Sequence, residues 1–188
     1  EIPIPQSLKH TSPPLFLVRS LNSLIPSALS ASRRLCVRKN QTINMLISAY
    51  KSKGITNLPK VTTELYENIP HIVLSIQSFS KVIYNILDNA IYSVLKKFED
   101  QTLSEIKISV NDNLDNVQIV ISDNGIGISD DVKTKIFEPF FTTKEGGMNP
   151  GLGLSTSLEI IQDLKGGISV HSIDGEFAEF KITIPKNE

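Results

Sequence analysis

The stretch Ser122-Asp123-Asn124-Gly125-Ile126-Gly127-Ile128 is the most informative part of this 188-residue chain. It follows an apolar run that predicts a buried β-strand over 117–122. A carboxylate at the end of a strand can accept a hydrogen bond from the exocyclic amine of a purine. Gly125 and Gly127 let the backbone approach a ligand where any Cβ would clash. On its own the motif is weak evidence and also fits a tight loop, because Asn-Gly turns are common.

A helix is predicted upstream, over residues 78–97, with Ser78 as its N-cap. Apolar residues recur there at helical spacing: Phe79, Val82, Ile83, Ile86, Leu87, Ala90, Ile91, Val94 and Leu95. Asn85 and Asn89 are four residues apart and therefore share one face of this helix. Asparagine is a poor helix former, so the pair suggests either an Mg²⁺ site or two solvated amides.

The segment Phe137–Lys144 follows a short helix that Ser129 is predicted to start. Pro139 breaks the helix, so Phe140 and Phe141 are expected in a loop. Exposed aromatic rings are costly unless they dock, which a lid that packs on a bound ligand would explain. Lys144 is then a candidate phosphate contact. The alternative is an ordinary loop anchor with Lys144 in solvent.

The stretch Pro150-Gly151-Leu152-Gly153-Leu154-Ser155 precedes a second helical pattern. That pattern ends at Gly166-Gly167, where a helix stop is expected. A glycine turn leading into a helix presents free backbone N–H groups and the positive end of the helix dipole. The sequence therefore predicts an anion site that suits a triphosphate.

Taken together and in this order, the four segments resemble the N box, first glycine box, F box and second glycine box of sensor histidine kinase catalytic domains. That family belongs to the GHKL (HATPase) superfamily with heat-shock chaperones, type II topoisomerases and mismatch-repair ATPases. The resemblance covers about residues 57–188, and 137–144 is especially similar to the nitrogen-regulator type of kinase. It implies an α+β two-layer sandwich of the Bergerat type, a nucleotide-binding fold that holds ATP with Mg²⁺.

Strand patterns support this fold class independently of the resemblance. They occur at about residues 60–67, 69–74, 105–111, 117–122, 168–173 and 178–184. Because helices alternate with them unevenly, one mixed sheet covered by helices on a single face is expected. The resemblance implies that this sheet is mostly antiparallel. The implied catalytic ATP-binding domain is 56–188. Residues 1–55 are predicted to be a linker and helical extension that could include the end of a dimerisation region. Within it, helices are suggested over residues 16–35 and 43–53.

The resemblance implies a role for each motif. Asn85 and Asn89 become the catalytic pair, with Asn89 as the Mg²⁺ ligand and Asn85 supporting the ion or the phosphates. Asp123 is implied to bind the adenine amine. The other implied ATP-binding residues are Gly125, Gly127 and Ile128 in the pocket wall, Phe137, Thr143 and Lys144 in the lid, and Gly151, Leu152, Gly153 and Leu154 beside the phosphates.

Two positions depart from the family pattern, and a third position separates the kinases from their hydrolytic relatives. Tyr92 stands where many members have a basic residue, with Lys96 one turn further on. Pro150 stands where a phosphate-facing N–H is usual, and proline has none. Asn85 replaces the glutamate that activates water in the hydrolytic relatives, and an amide cannot act as a general base. This difference from the hydrolytic relatives favours phosphoryl transfer over hydrolysis.

The predicted function is therefore that of an ATP-dependent protein-histidine kinase. It would transfer the γ-phosphoryl group to a histidine on the phosphoacceptor and dimerisation domain of the same kinase, which then serves a response regulator. His71 and His171 are expected to be surface or strand residues, and prolines around His10 forbid a long helix there. The phosphoacceptor domain is therefore expected to be absent from this chain. The alternatives are a degenerate nucleotide-binding or scaffold module and a GHKL-type ATPase.

Composition fits this interpretation. A net charge of −1 gives no attraction to nucleic acid or anionic membranes, and 40% hydrophobic residues suit a soluble domain. The single cysteine, Cys36, excludes an intrachain disulfide and suits a reducing compartment. A cytoplasmic location is expected, although a full-length parent could be membrane-anchored and is expected to be a homodimer. Because Glu1 opens the chain, we expect a segment of a longer protein.

Overall fold

The computed structural model describes residues 48, 51–52, 58–65, 75–99, 103–144 and 150–186, without the side chains of Leu65 and Ile76. The predicted strand over 69–74 lies outside the described residues, as do His10 and His71. So do residues 16–35 and most of 43–53, for which helices are suggested by the sequence. The structure therefore bears on the predicted catalytic domain.

Within the described part of the chain, five strands form one mixed sheet. They are β1 (Lys60–Leu65), β2 (Glu105–Asp112), β3 (Asn116–Asp123), β4 (Gly167–Ile173) and β5 (Phe177–Pro185). Their order across the sheet is β1-β2-β3-β5-β4. The β1–β2 pair is parallel and the other three pairs are antiparallel. The prediction of a mixed, mostly antiparallel sheet is thus confirmed.

One face of this sheet is buried. Alternate residues of β2, β3 and β5 point into the core because successive side chains of a strand lie on opposite faces. The buried set from these strands is Ile106, Ile108, Val110, Val117, Ile119, Ile121, Ala178, Phe180, Ile182 and Ile184. Since only alternate positions are apolar and buried, the helices cover one side of the sheet, as the sequence predicted.

The long helix α1 (Ile76–Lys97) supplies the other half of the core. Its buried residues are Phe79, Val82, Ile83, Ile86, Leu87, Ala90, Ile91 and Val94. The prediction of Ser78 as N-cap was wrong. The cap is Ser75, whose hydroxyl accepts the Ser78 N–H at 3.4 Å. The side chain of either serine can cap a helix. Ser78 occupies the position whose backbone N–H donates to the cap side chain.

Two further helices lie downstream of α1 within the described residues. The short α2 (Asp130–Lys133) begins after Ser129, as predicted, and α3 (Gly153–Asp163) packs beside α1. The end of α3 differs in detail from the expected glycine stop. The left-handed residue is Lys165 (φ 56°), whereas Gly166 is required because a Cβ there would lie 2.3 Å from the Thr183 carbonyl oxygen. Among the described residues, no helix is long and apolar enough to cross a membrane.

Candidate functional site

The Asp123 carboxylate ends β3 and is buried, with 5% of the residue exposed. Its Oδ1 accepts the Gly125 N–H at 3.0 Å. Burial raises the pKa of the Asp123 carboxyl to about 6, against the opposing effects of the Ser93 hydroxyl, the Gly125 N–H and the Lys97 ammonium. A carboxylate has about four acceptor positions, so these contacts leave room for an amine that approaches it.

Residues 123–128, here called the first glycine loop, are clamped on two sides. A Cβ on Gly125 would lie 2.1 Å from Ser93 Oγ, and one on Gly127 (φ 67°) would lie 2.0 Å from the Ile173 carbonyl oxygen. The loop therefore touches α1 on one side and the β4–β5 hairpin on the other. Neither glycine can carry a side chain without moving backbone atoms.

Hydrogen bonds hold the same loop to the hairpin. The Ile128 N–H donates to Ser172 Oγ at 2.8 Å, and Ser172 Oγ donates to the Phe177 carbonyl at 2.6 Å. The Gly175 N–H donates to the Ile126 carbonyl at 2.7 Å. Ile128, expected in the pocket wall, is thus fixed through its backbone as well as by partial packing on the core.

The base of the first glycine loop is tied down by Lys97 and Asn124. Lys97 Nζ donates to the carbonyl oxygens of Asn124 at 2.8 Å and Glu176 at 2.9 Å. The Asn124 side chain accepts the Glu105 N–H and donates to the Leu103 carbonyl, each at 2.8 Å. These bonds join the end of α1, the loop and the start of β2 at one place.

A stripe of polar residues runs along α1 at intervals of four: Asn85, Asn89 and Ser93. Asn85 Nδ2 donates to the Gly153 carbonyl at 2.8 Å and to Ser157 Oγ at 3.0 Å. Ser93 Oγ accepts the Ile126 N–H at 3.1 Å. Between them, Asn89 is half-buried and makes no side-chain hydrogen bond within the described residues. One helix face thus connects both glycine motifs.

Residues 150–154, here called the second glycine turn, lead directly into α3. The helix begins at Gly153 after Leu152, and within the described chain no side chain caps its first turn. Gly151 (φ 69°) needs its glycine because a Cβ would lie 2.5 Å from the Phe140 carbonyl carbon. The carbonyl of Gly151 accepts the Phe140 N–H at 3.0 Å. Uncapped N–H groups at a helix start are suited to an anion.

The F segment (137–144) has an uneven environment. Phe137 and Phe141 are partly buried against the core, whereas Phe140 is 73% exposed and has a positive φ of 70°. Thr143 is also exposed. The loop expected after Pro139 is therefore present, with two rings anchored and one in solvent.

The side chain of Lys144, at the end of the F segment, packs against α1. Its Nζ is 2.7 Å from Asp88 Oδ2, in a pair whose side chains are only 14% and 22% exposed. The Lys144 ammonium is 5.1 Å from the centre of the Tyr92 ring, and the Lys96 ammonium is 5.8 Å from the same ring centre. Lys144 is thus not in open solvent, and Asp88 is the neighbour of Asn89 in sequence.

The structure brings most of the predicted residues together around α1. Sequence reasoning missed three residues that shape the site: Asp88, Ser93 and Lys97. Ser93 carried a usable signal, since it continues the spacing of the two asparagines by four residues. The contacts of Asp88 and Lys97 are made to partners 56 and 27 residues away, which local patterns do not encode.

Comparison with known proteins decides the family. The model of the family described as "Histidine kinase-, DNA gyrase B-, and HSP90-like ATPase" matches residues 75–188. The chain belongs to this family. It is 38% identical over 122 residues to sporulation kinase E of Bacillus subtilis, a match that covers 65% of this chain and 16% of that protein. It is 31% identical over 176 residues to signal transduction histidine-protein kinase AtoS of Escherichia coli, covering 90% and 28%.

Solved structures of histidine kinases have the same fold as this chain. The nucleotide-free catalytic domain of histidine kinase ThkA superimposes with a TM-score of 0.61 at 28% identity, covering 78% of this chain and 91% of that one. Full-length ShkA in complex with AMPPNP gives a TM-score of 0.63 at 20% identity, covering 78% and 29%, which shows the fold alone. The predicted α+β sandwich is confirmed. This is an ATP-binding catalytic domain of the sensor histidine kinase type. The chain spans less than a third of the length of sporulation kinase E and of AtoS.

Proposed function

We propose that this catalytic domain transfers the γ-phosphoryl group of ATP to a histidine on the phosphoacceptor and dimerisation domain of its own kinase. The phosphohistidine then serves a response regulator, and the complete kinase works as a homodimer. The observation that carries the proposal is the convergence of Asp123, Asn89 and the second glycine turn on one face of α1. We also propose that 56–188 is the functional unit and that 1–55 is an extension to it.

Asn85 supports transfer rather than hydrolysis. Hydrolysis needs a base near the γ-phosphate, and the amide nitrogen of Asn85 is occupied by the Gly153 carbonyl and Ser157 Oγ. An amide cannot take a proton from water at neutral pH. Its role is instead to hold the start of α3 in place beside the phosphates.

The donor set fits a magnesium ion that arrives with the nucleotide. Within the described residues no group of three or more His, Cys, Asp or Glu side chains could form a separate metal site. Mg²⁺ commonly uses one or two protein oxygens together with substrate phosphates, and Asn89 offers one such oxygen. The bound ion would neutralise phosphate charge while the protein positions the reactants.

Each remaining motif has a distinct task in this proposal. Asp123 accepts the adenine amine, and Gly125, Gly127 and Ile128 bring the loop backbone against the base. The start of α3 directs N–H groups at the phosphates, and Lys144 adds a cation from the F segment. Phosphoryl transfer requires little covalent chemistry from the protein, so the attacking histidine can come from another domain.

Calorimetric titration with ATP and ADP, each with and without Mg²⁺, tests the proposal directly. Binding of both nucleotides that strengthens with Mg²⁺ is the expected result. Absence of binding under all conditions would contradict the kinase and favour a degenerate or scaffold module. Rapid release of inorganic phosphate by the domain alone would favour the hydrolytic class instead.

Asn89→Ala is expected to abolish the Mg²⁺-dependent part of ATP affinity and leave the fold intact, because it removes the proposed ion ligand. Asn111→Ala is the matched control, since Asn111 is exposed near the far end of β2 from Asp123. Circular dichroism confirms folding, and calorimetry measures affinity. Unchanged Mg²⁺ dependence in Asn89→Ala would remove this residue from the metal site.

A further inference from the structure

Ser93 lies at the closest approach between α1 and the first glycine loop. A Cβ on Gly125 would lie 2.1 Å from Ser93 Oγ and 2.5 Å from the Ser93 carbonyl carbon. Gly125 is buried, so helix and loop meet here with little besides the serine hydroxyl between them. The glycine at position 125 and the small side chain at position 93 are therefore mutually required.

The hydroxyl of Ser93 serves two partners at that contact. It accepts the Ile126 N–H at 3.1 Å. It also lies beside the Asp123 carboxylate, whose pKa it lowers against the effect of burial. A hydroxyl has one proton to donate and two acceptor positions, so both roles are compatible. Two successive N–H groups of the loop thus have different acceptors: the Gly125 N–H donates to Asp123 and the Ile126 N–H donates to Ser93.

We propose that Ser93 is a positioning residue for purine recognition, which holds the Asp123 carboxylate and the first glycine loop in the geometry that receives the adenine amine. The inference rests on the proposed role of Asp123. Ser93 need not touch the nucleotide. It keeps the acceptor oriented and favours its ionised form, a task that Lys97 assists as the charged group on α1 that acts on Asp123.

Ser93→Ala tests this inference. ADP affinity, measured by calorimetry from about pH 5 to 8, is expected to fall about tenfold at neutral pH. The acid limb of the affinity profile is also expected to move to higher pH, because loss of the hydroxyl donor raises the pKa of Asp123. The titration of the nucleotide's own phosphates is common to both proteins and cancels in their ratio. A purely structural serine would change stability without moving that limb.

Ser80→Ala is the matched control, a half-buried serine on the same helix that should leave both affinity and profile unchanged. Unchanged affinity and an unmoved acid limb in Ser93→Ala, with normal wild-type binding, would overturn the inference and leave the proposed function standing. A wild type that binds no ADP would instead overturn the proposed function itself.

Ser93→Cys provides a second variant if Ser93→Ala fails to fold, because a thiol keeps the volume and donates only weakly. An acid limb that lies at higher pH in Ser93→Cys than in the wild type supports the inference, and an unmoved limb overturns it. Loss of the fold in both variants would assign Ser93 a structural role and would also overturn it.

Discussion

The first glycine loop and the second glycine turn are both glycine motifs that reach α1, but they are held very differently. The first glycine loop is fixed by Ser93, Lys97, Ser172 and its own Asp123, with two glycines that exclude any Cβ. The second glycine turn is fixed to α1 mainly by Asn85, and Gly153 there has only ordinary neighbours at 3.5 Å and beyond. The first glycine loop is thus locked tightly against α1, whereas the second glycine turn is loose on its α1 side and tight only at Gly151, which faces the F segment.

This difference matches what each motif is proposed to bind. A purine is flat and rigid, so a site formed in advance loses no binding energy to rearrangement. A phosphate chain with a metal ion changes charge and geometry during transfer, so looser contacts at the helix start suit it. The comparison predicts that, of the two glycines that face α1, a substitution at Gly125 costs more stability than the same substitution at Gly153.

Gly125→Ala and Gly153→Ala form the most direct test and carry the largest expected effect. Gly125→Ala is expected to destabilise the fold by about 3 kcal/mol, because its Cβ meets the Ser93 backbone. Gly153→Ala is expected to change stability by less than about 0.5 kcal/mol, or to stabilise slightly, since alanine favours a helix. Urea unfolding measures both. Equal losses in the two variants would break the comparison.

Asp123→Asn is expected to weaken ATP binding and yet to stabilise the fold at pH 7 by about 1 to 3 kcal/mol. The folded-state pKa of Asp123, about 6, lies above the ordinary value of 3.8, so burying the charged form costs stability. The amide keeps an oxygen for the Gly125 N–H and carries no charge. Such opposite effects would mark Asp123 as retained for binding rather than for folding.

The pH dependence of stability tests the sign of this Asp123→Asn effect independently. Because the folded pKa is raised, stability contributed by neutral Asp123 is complete below about pH 4 and is lost as pH rises through 6. The stability difference between Asp123→Asn and wild type should therefore be small near pH 4 and reach its full value near pH 7. A difference that does not change over this range would mean that Asp123 is not buried as a charge at neutral pH.

Sequence patterns predicted what depends on local periodicity. The alternation in β2 and β5 and the apolar stripe of α1 predicted these elements. The uneven spacing of helices among the strands predicted a sheet that is covered on one face. The N-cap of α1 was misplaced because Ser75 and Ser78 have the same capping chemistry. Gly166 was interpreted as a helix stop, although it is needed for close approach to Thr183, a contact that no local pattern encodes.

The Lys144–Asp88 pair provides a further test of this comparison, and its expected effect is the smallest. This pair holds the end of the F segment on α1, and the same segment contacts Gly151 of the second glycine turn. We expect the pair to be held less tightly than the first glycine loop. A double-mutant cycle of Lys144→Met and Asp88→Asn is expected to give a coupling of about 0.5 to 1 kcal/mol that falls with added salt. The cycle isolates the pair from the other contacts of Asp88.

The exposed pair Lys107–Glu64, at 2.8 Å with side chains 48% and 66% exposed, is the matched control and should give a coupling near zero. An intermediate value for Lys144–Asp88 fits a cation that can exchange a carboxylate for a phosphate, since its partial burial strengthens the pair without locking it. A coupling of about 3 kcal/mol would instead place the F segment with the first glycine loop as a rigid part of the fold, because Lys144 could not leave Asp88 at that cost.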